Sequence, residues 1–195
     1  MTIRKGEPWG TGTDRPPNLL VVDSDAGIVE AFRQDASRPV GLAGGDVFRS
    51  LGSPGHRSEM QHLPLDVMEV ALDGTVALGA AHVVVRRSWW RGPVLAVMNV
   101  DHIGGWNVAP RAHPNDGRVD VVEVDAAMSV RQRWQARRRL PTGTHVPHPK
   151  ISVRTATSLE RTFPRPYRVW IDGVRVDDAR SVAVTVVPDA FGVLV

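Results

Sequence analysis

The stretch Gly104-Gly105-Trp106-Asn107-Val108-Ala109-Pro110-Arg111-Ala112-His113-Pro114-Asn115-Asp116-Gly117-Arg118-Val119-Asp120-Val121-Val122-Glu123-Val124 decides how this chain is read. A glycine pair and Pro110-Arg111-Ala112 lead through His113-Pro114-Asn115-Asp116-Gly117 into a Val-rich segment. On residue types alone, Asn115-Asp116-Gly117 is a turn that starts a strand. On both sides apolar residues recur at period two or in short Val-rich runs, which predicts strands at 65–72, 76–86, 93–100, 119–125, 150–157, 167–171, 181–187 and 191–195. Asp73-Gly74 and Asp172-Gly173 fit two-residue hairpin turns. One segment of this half has helical spacing, 125–140, with Met128, Val130, Trp134 and Leu140 expected inward and Arg131, Arg133, Arg137, Arg138 and Arg139 outward.

Upstream of residue 62 the pattern is different. An apolar run at 18–23 suits a strand buried on both faces, and Ser24-Asp25 before Ile28, Val29, Ala31 and Phe32 suits a capped helix. A second strand at 39–43 precedes Asp46, which is placed to cap a short helix carrying Val47, Phe48 and Leu51 and stopped by Gly52, Pro54 and Gly55. The first 17 residues show no periodicity. The organisation expected is a flexible segment at 1–17, a β-α-β-α unit at 18–61 and a β-rich domain at 62–195.

Composition agrees with a strand-rich chain. Its 195 residues include 31 Val, 18 Gly and 15 Pro but only 6 Glu, a mixture that favours strands and turns over long helices. The absence of Cys excludes disulfides, thiolate zinc sites and thiol nucleophiles. The seven His include no i, i+4 pair, so a zinc site is not expected, and neither Ser50 nor Ser53 sits in a nucleophile elbow. A net charge of +3 does not argue for nucleic acid, because the pI near 10.1 reflects arginine. No apolar run approaches the ~20 residues of a spanning helix, and residues 1–18 lack the apolar core of a signal peptide, so a soluble cytoplasmic chain is expected, with peripheral membrane contact as an option.

The Gly104 to Val124 stretch resembles the second domain of the diacylglycerol kinases and related lipid kinases. In that family a glycine-rich segment runs into a proline, an alanine and an Asp-Asp-Gly turn that opens a strand. Trp170-Ile171-Asp172-Gly173-Val174 is similar to the family's Asp-Gly-Glu element, and residues 182–195 resemble its final strands. Upstream, Asp25 and Glu30 match the segment that in the family reads Gly-Gly-Asp-Gly-Thr and then Glu. Asp46, Leu51 and Gly52 match the family's Gly-Thr-Gly-Asn-Asp segment and the Leu-Gly that ends its helix. The resemblance spans residues 18–195 and implies an α+β, mainly β fold: an antiparallel β-sandwich-like second domain behind a short β-α-β-α remnant of a nucleotide-binding domain.

The family transfers phosphate, so the resemblance implies ATP and magnesium if activity is retained. It assigns Asp172 as the candidate base, and Asp25, Gly27, Gly44, Gly45 and Asp46 to nucleotide or phosphate binding. A structural magnesium would fall on His113, Asp116 and the Arg118 carbonyl. Several positions depart from the pattern: the phosphate loop reads Asp23-Ser24-Asp25-Ala26-Gly27, Val174 replaces the Glu of the acidic element, and the family's first strand would lie upstream of residue 18. The leading expectation is a lipid-kinase-like protein with impaired catalysis that binds a lipid, a small ligand or a protein. The alternatives are a residual lipid kinase completed by dimerisation or a partner chain, and a homo-oligomeric scaffold. Residues Arg131, Arg133, Arg137, Arg138 and Arg139 read first as a solvated helix face whose aliphatic stems cover apolar surface, and on a sharper reading as a contact for anionic lipid headgroups; nucleic acid is not an expected partner.

Overall fold

The structure, a computed structural model, describes residues 9–54 and 59–195. Residues 1–8 of the expected flexible segment and the helix-stopping Gly55 lie outside the described residues. In chain order the elements are β1 (Thr11–Thr13), β2 (Leu20–Val22), α1 (Asp25–Gln34), β3 (Val40–Leu42), α2 (Gly45–Ser50), β4 (Met60–Leu72), β5 (Thr75–Gly79), β6 (His82–Arg86) and β7 (Val94–Met98). They continue with β8 (His102–Ile103), β9 (Trp106–Asn107), β10 (Val119–Val124), α3 (Val130–Arg139), a 3-10 turn at Leu140–Thr142, β11 (Ile151–Ala156), β12 (Ser158–Ile171) and β13 (Val174–Leu194).

Among the described residues, eleven strands form one sheet in the order β1-β4-β13-β12-β6-β7-β10-β11, with β5 on β4 and β2-β3 attached to β13. All pairings are antiparallel except β2 with β3 and β3 with the end of β13. The N-terminal β-α-β-α unit is therefore hydrogen-bonded into the sheet through Val40 and Gly41.

The Val runs exist because the central strands are buried on both faces. Val83, Val85, Leu95, Val97, Val119 and Val121 point into the sandwich core with Met68, Val70 and Val184. Their alternates Val84, Ala96, Met98 and Val122 point the other way, into a second core beneath α3. A third core packs α1 and α2 on the ends of β4 and β13 through Ile28, Val47, Leu65 and Val193.

Several expectations are corrected. The stretch expected to be flexible contains β1, which pairs with β4, and Trp9, whose ring stacks edge-on against His113 at 4.6 Å. The run at 76–86 is two strands, because the Asp172 carboxylate takes the N–H groups of Ala80, Ala81 and His82 out of the ladder. The segments at 181–187 and 191–195 are one strand, β13, whose register is interrupted between Val187 and Phe191, where Asp189 adopts φ +52°. β12 starts at Ser158, well before the expected 167.

Helix α3 starts at Val130, five residues later than expected. Ser129 and Gln132 form a reciprocal capping box there, and the Asp125 carboxylate closes a turn on Ala127 N–H. Its faces are also rotated: Val130 and Trp134, expected inward, are about half exposed, while Arg133, expected on the anionic-surface face, is only 5% exposed. Arg133 turns inward because four backbone carbonyls converge on its guanidinium, which satisfies a charge that burial would otherwise penalise.

Candidate functional site

The β2–α1 turn and the start of α2 meet over one carboxylate. Asp25 accepts hydrogen bonds from Asp46 N–H at 2.8 Å and Val47 N–H at 2.9 Å, so it supplies from outside the helix the cap that Gly44 cannot. The glycine pair makes this approach possible. Gly45 has φ +92°, and a Cβ there would lie 2.5 Å from Asp25 Oδ1; a Cβ on Gly44 would run into the carbonyl of Asp23. Gly27 is the third residue of α1, where a Cβ would press on Ser24 Oγ at 3.1 Å and Val22 at 3.2 Å.

Gly45→Ala is accordingly expected to cost about 2 kcal/mol or more, from the left-handed backbone and the clash with Asp25. That is a fall of about 4–8 °C in melting temperature for a chain of this size. An unchanged melting temperature would show that the two segments do not meet as described.

Asp46 projects towards the sheet. Its Oδ2 lies 3.1 Å from His82 Nε2 and its Oδ1 accepts Gly104 N–H at 2.8 Å, which ties α2 to the first glycine of the Gly104 to Val124 stretch. His82, 2% exposed at the start of β6, gives its own N–H to Asp172. Asp172 sits at the first position of a left-handed two-residue hairpin turn, φ +50°, with Gly173 at +78°. Its two oxygens together receive three backbone N–H groups. The structure thus brings Asp25, Asp46 and Asp172 together around His82, a residue that sequence reasoning missed. The only trace of it in the sequence is the small pair Ala80-Ala81 interrupting an apolar run.

Burial dominates the electrostatics. It pushes the Asp25 carboxyl up to about 6, against the two N–H bonds and helped by the charges of Asp172 and Asp46. Asp172 is also raised by burial, against its three N–H bonds. Burial alone would lower His82, but its bond to Asp46 and the surrounding carboxylates carry it above the ordinary imidazole value.

The ligand atoms of Asp25, Asp46 and His82 lie within 4.8 Å of one another, the one such grouping among the described residues. Two carboxylates and an imidazole suit zinc better than magnesium. The magnesium residues implied by resemblance lie elsewhere. There His113 Nδ1 accepts Asn115 N–H at 3.2 Å, and Asp116 Oδ1 accepts Arg118 N–H at 3.0 Å. An imidazole and a carboxylate already engaged in its own turn fit a hard, octahedral cation poorly. Beside them lies a residue without any sequence signal, Asp66, which is fully buried and accepts from Gly117 N–H, Asp189 N–H and Asn115 Nδ2. Asp66 pins the Asn115-Asp116-Gly117 turn to β4 and β13.

A separate cavity of about 90 Å³ lies under α3, walled by Trp89, Trp90, Trp106, Val122, Leu140 and Ile151, with Arg137 and His145 among its lining residues. His145 is 4% exposed; burial lowers its imidazole below the ordinary value, and a hydrogen bond with the Val108 backbone acts against that. Arg137 lies over the rings of Trp90 and Trp106 at 5.4 and 5.2 Å.

Comparison with known proteins now bears on the same elements. Residues 59–195 match the model of the YegS C-terminal NAD kinase beta sandwich-like domain. The chain belongs to this family. As a YegS-type sandwich it contributes β4 to β13, and the matched region contains Asp66, His82, Asp172 and the whole α3 cavity, while Asp25 and Asp46 come from the segment before it. A solved structure of a diacylglycerol kinase from Bacillus anthracis strain Sterne superposes with a TM-score of 0.63 at 14% identity, over 90% of this chain and 75% of that one. Two structures of a candidate diacylglycerol kinase from the same strain give 0.67 and 0.66, also at 14% identity, over 90% of this chain and 77% of theirs. The shared fold extends upstream of residue 59, since 90% coverage exceeds the matched domain. No curated protein matches the chain in sequence.

Proposed function

We propose that this YegS-type chain binds an amphiphilic ligand, with an apolar segment in the cavity under α3 and an anionic or acceptor-bearing head near Arg137 and His145, and that it transfers no phosphate from ATP. The observation that carries the reading is the cavity. It is lined by indole rings and aliphatic side chains, with the buried imidazole of His145 and the guanidinium of Arg137 as polar groups in its wall, a combination that suits an apolar chain carrying one polar head.

The loss of transfer rests on how the groups that would meet a phosphate or act as base are already engaged. The N–H groups at the start of α2 are taken by Asp25, the Asp172 oxygens by three backbone N–H groups, and the position after the Asp172 turn is an exposed Val174. Asp172 therefore acts as a positioning residue that holds His82 at the start of its strand.

Titration with octyl phosphate, followed by tryptophan fluorescence and calorimetry, is expected to show saturable binding that Trp106→Ala weakens about tenfold, in keeping with loss of ~1.4 kcal/mol of ring contact. Binding that ignores Trp106→Ala would overturn the cavity assignment. Radiolabelled transfer from ATP to diacylglycerol, abolished by Asp172→Asn, would overturn the claim of no transfer.

A further inference from the structure

We infer that the outer face of α3 docks on anionic phospholipid bilayers. The helix reads Val-Arg-Gln-Arg-Trp-Gln-Ala-Arg-Arg-Arg and has no acidic residue. With Arg133 turned into the protein, the other four arginines of the helix, Arg131, Arg137, Arg138 and Arg139, are exposed. Between them Val130 and Trp134, one turn apart, are 48% and 50% exposed, and these are the two large apolar side chains the helix leaves outside the core. Arg138 lies over the Trp134 ring at 4.8 Å, which holds the indole at the surface with a cation against its face.

Arg131, Arg138 and Arg139, which stay outside the cavity lining, together with an exposed indole on a helix about 15 Å long are the equipment of an interfacial helix. The indole seats at the headgroup level while the arginines meet lipid phosphate. A second copy of this chain would bring the same cations face to face, so charge complementarity selects an anionic surface. The same helix roofs the cavity, whose lining includes Ala136 and Arg137. The consequence for the ligand reading rests on the proposed function, whereas docking itself does not: the bilayer would lie beside the cavity, which could then take its ligand from the membrane.

The test uses the full chain with vesicles of phosphatidylcholine alone or with phosphatidylglycerol, by flotation. Binding to the phosphatidylglycerol vesicles only, weakened by salt, is expected. The combined Arg131→Gln, Arg138→Gln, Arg139→Gln variant is expected to lose about a hundredfold in partition, at ~1 kcal/mol per arginine near the surface. Brominated phosphatidylglycerol is expected to quench the wild type more than Trp134→Phe. Equal binding to both vesicle types, or an unchanged triple variant, would overturn the inference. So would tighter binding to a random DNA duplex at the same salt that Trp134→Ala leaves untouched. These substitutions lie outside the cavity, so octyl phosphate binding in solution is expected to persist in them, and failure of docking is distinguishable from failure of the ligand site.

Discussion

Replacing Arg133 with methionine is expected to destabilise the protein by about 3 kcal/mol or more, among the largest effects of any single substitution. The guanidinium donates from Nε to the Met128 carbonyl at 3.0 Å, from one terminal nitrogen to Trp89 at 3.1 Å, and from the other to Gly92 at 2.5 Å and Asp125 at 2.9 Å. Two of these carbonyls belong to the loop before β7 and two to the connection between β10 and α3. One side chain thus fastens the tryptophan loop to the helix that roofs the cavity. Methionine keeps most of the aliphatic volume but leaves several buried acceptors without a donor, each costing roughly 1–3 kcal/mol, with incomplete additivity. Arg133→Lys keeps the charge but offers three donors from a single atom, which cannot span four carbonyls in the plane of a fork, and is expected to recover only part of the loss. Urea unfolding measures all three proteins. A loss below about 1 kcal/mol in Arg133→Met would mean that the carbonyls find other partners. Octyl phosphate binding should fall with it, since Trp89 and Trp90 lose their anchor.

Arg133 also marks the limit of what the sequence reveals. Period-two Val runs and the Asp-Gly turns place most strands and the β-sandwich fold, because burial on both sheet faces leaves a residue-level signature in every strand. The two turns at Asp73 and Asp172 form as read, each with positive φ at both positions. Helical spacing in 125–140, by contrast, cannot say which face is inward. Leucine-poor and arginine-rich, this segment is oriented by carbonyls from two distant loops, and no local pattern encodes them. For the same reason Asp66 and His82 are silent: each is a lone polar residue within an apolar run, and its meaning comes from backbone N–H groups or carboxylates brought up by other strands. Local spacing reads Asp25 and Asp46 only as helix-start residues, the family pattern alone makes them site residues, and the physical link between them, Gly45 yielding so that the Asp25 carboxylate and not Asp46 caps α2, is visible only in three dimensions.

Stability is expected to fall by about 2 kcal/mol as pH rises from about 4 to 6 on account of Asp25 alone, the reverse of the usual behaviour of a hydrogen-bonded carboxylate. The sign follows from which state holds the proton. In the unfolded chain this carboxyl titrates near 3.8; in the native protein, burial raises it to about 6. Between those values the native state binds more proton than the unfolded state, so raising pH favours unfolding. The stabilising contribution is complete below the unfolded value and is lost as pH climbs through the native one. The whole difference, about 2 pH units at ~1.4 kcal/mol each, is about 3 kcal/mol, and roughly two thirds of it falls between pH 4 and 6. Other groups titrate as well. Asp66, Asp116 and Asp172 are raised by burial and act with the same sign, and His82, carried above the usual imidazole value, adds a loss at higher pH. Asp35, Asp73, Asp125 and Asp189 are lowered, mainly by hydrogen bonds, and act with the opposite sign. The contribution of Asp25 is therefore isolated as a difference: unfolding free energies of wild type and Asp25→Asn measured by urea at intervals from pH 4 to 7. The variant is less stable at pH 4, because an amide can accept one of the two N–H groups but sets its own donor against the other. The gap between the two proteins narrows by about 2 kcal/mol from pH 4 to 7 as the wild-type carboxyl is forced to ionise beside Asp46 and Asp172. A gap that stays constant, or widens with pH, would mean that the buried carboxyl is already charged at pH 4, and that charge on the helix-capping group is favoured where burial is argued to oppose it.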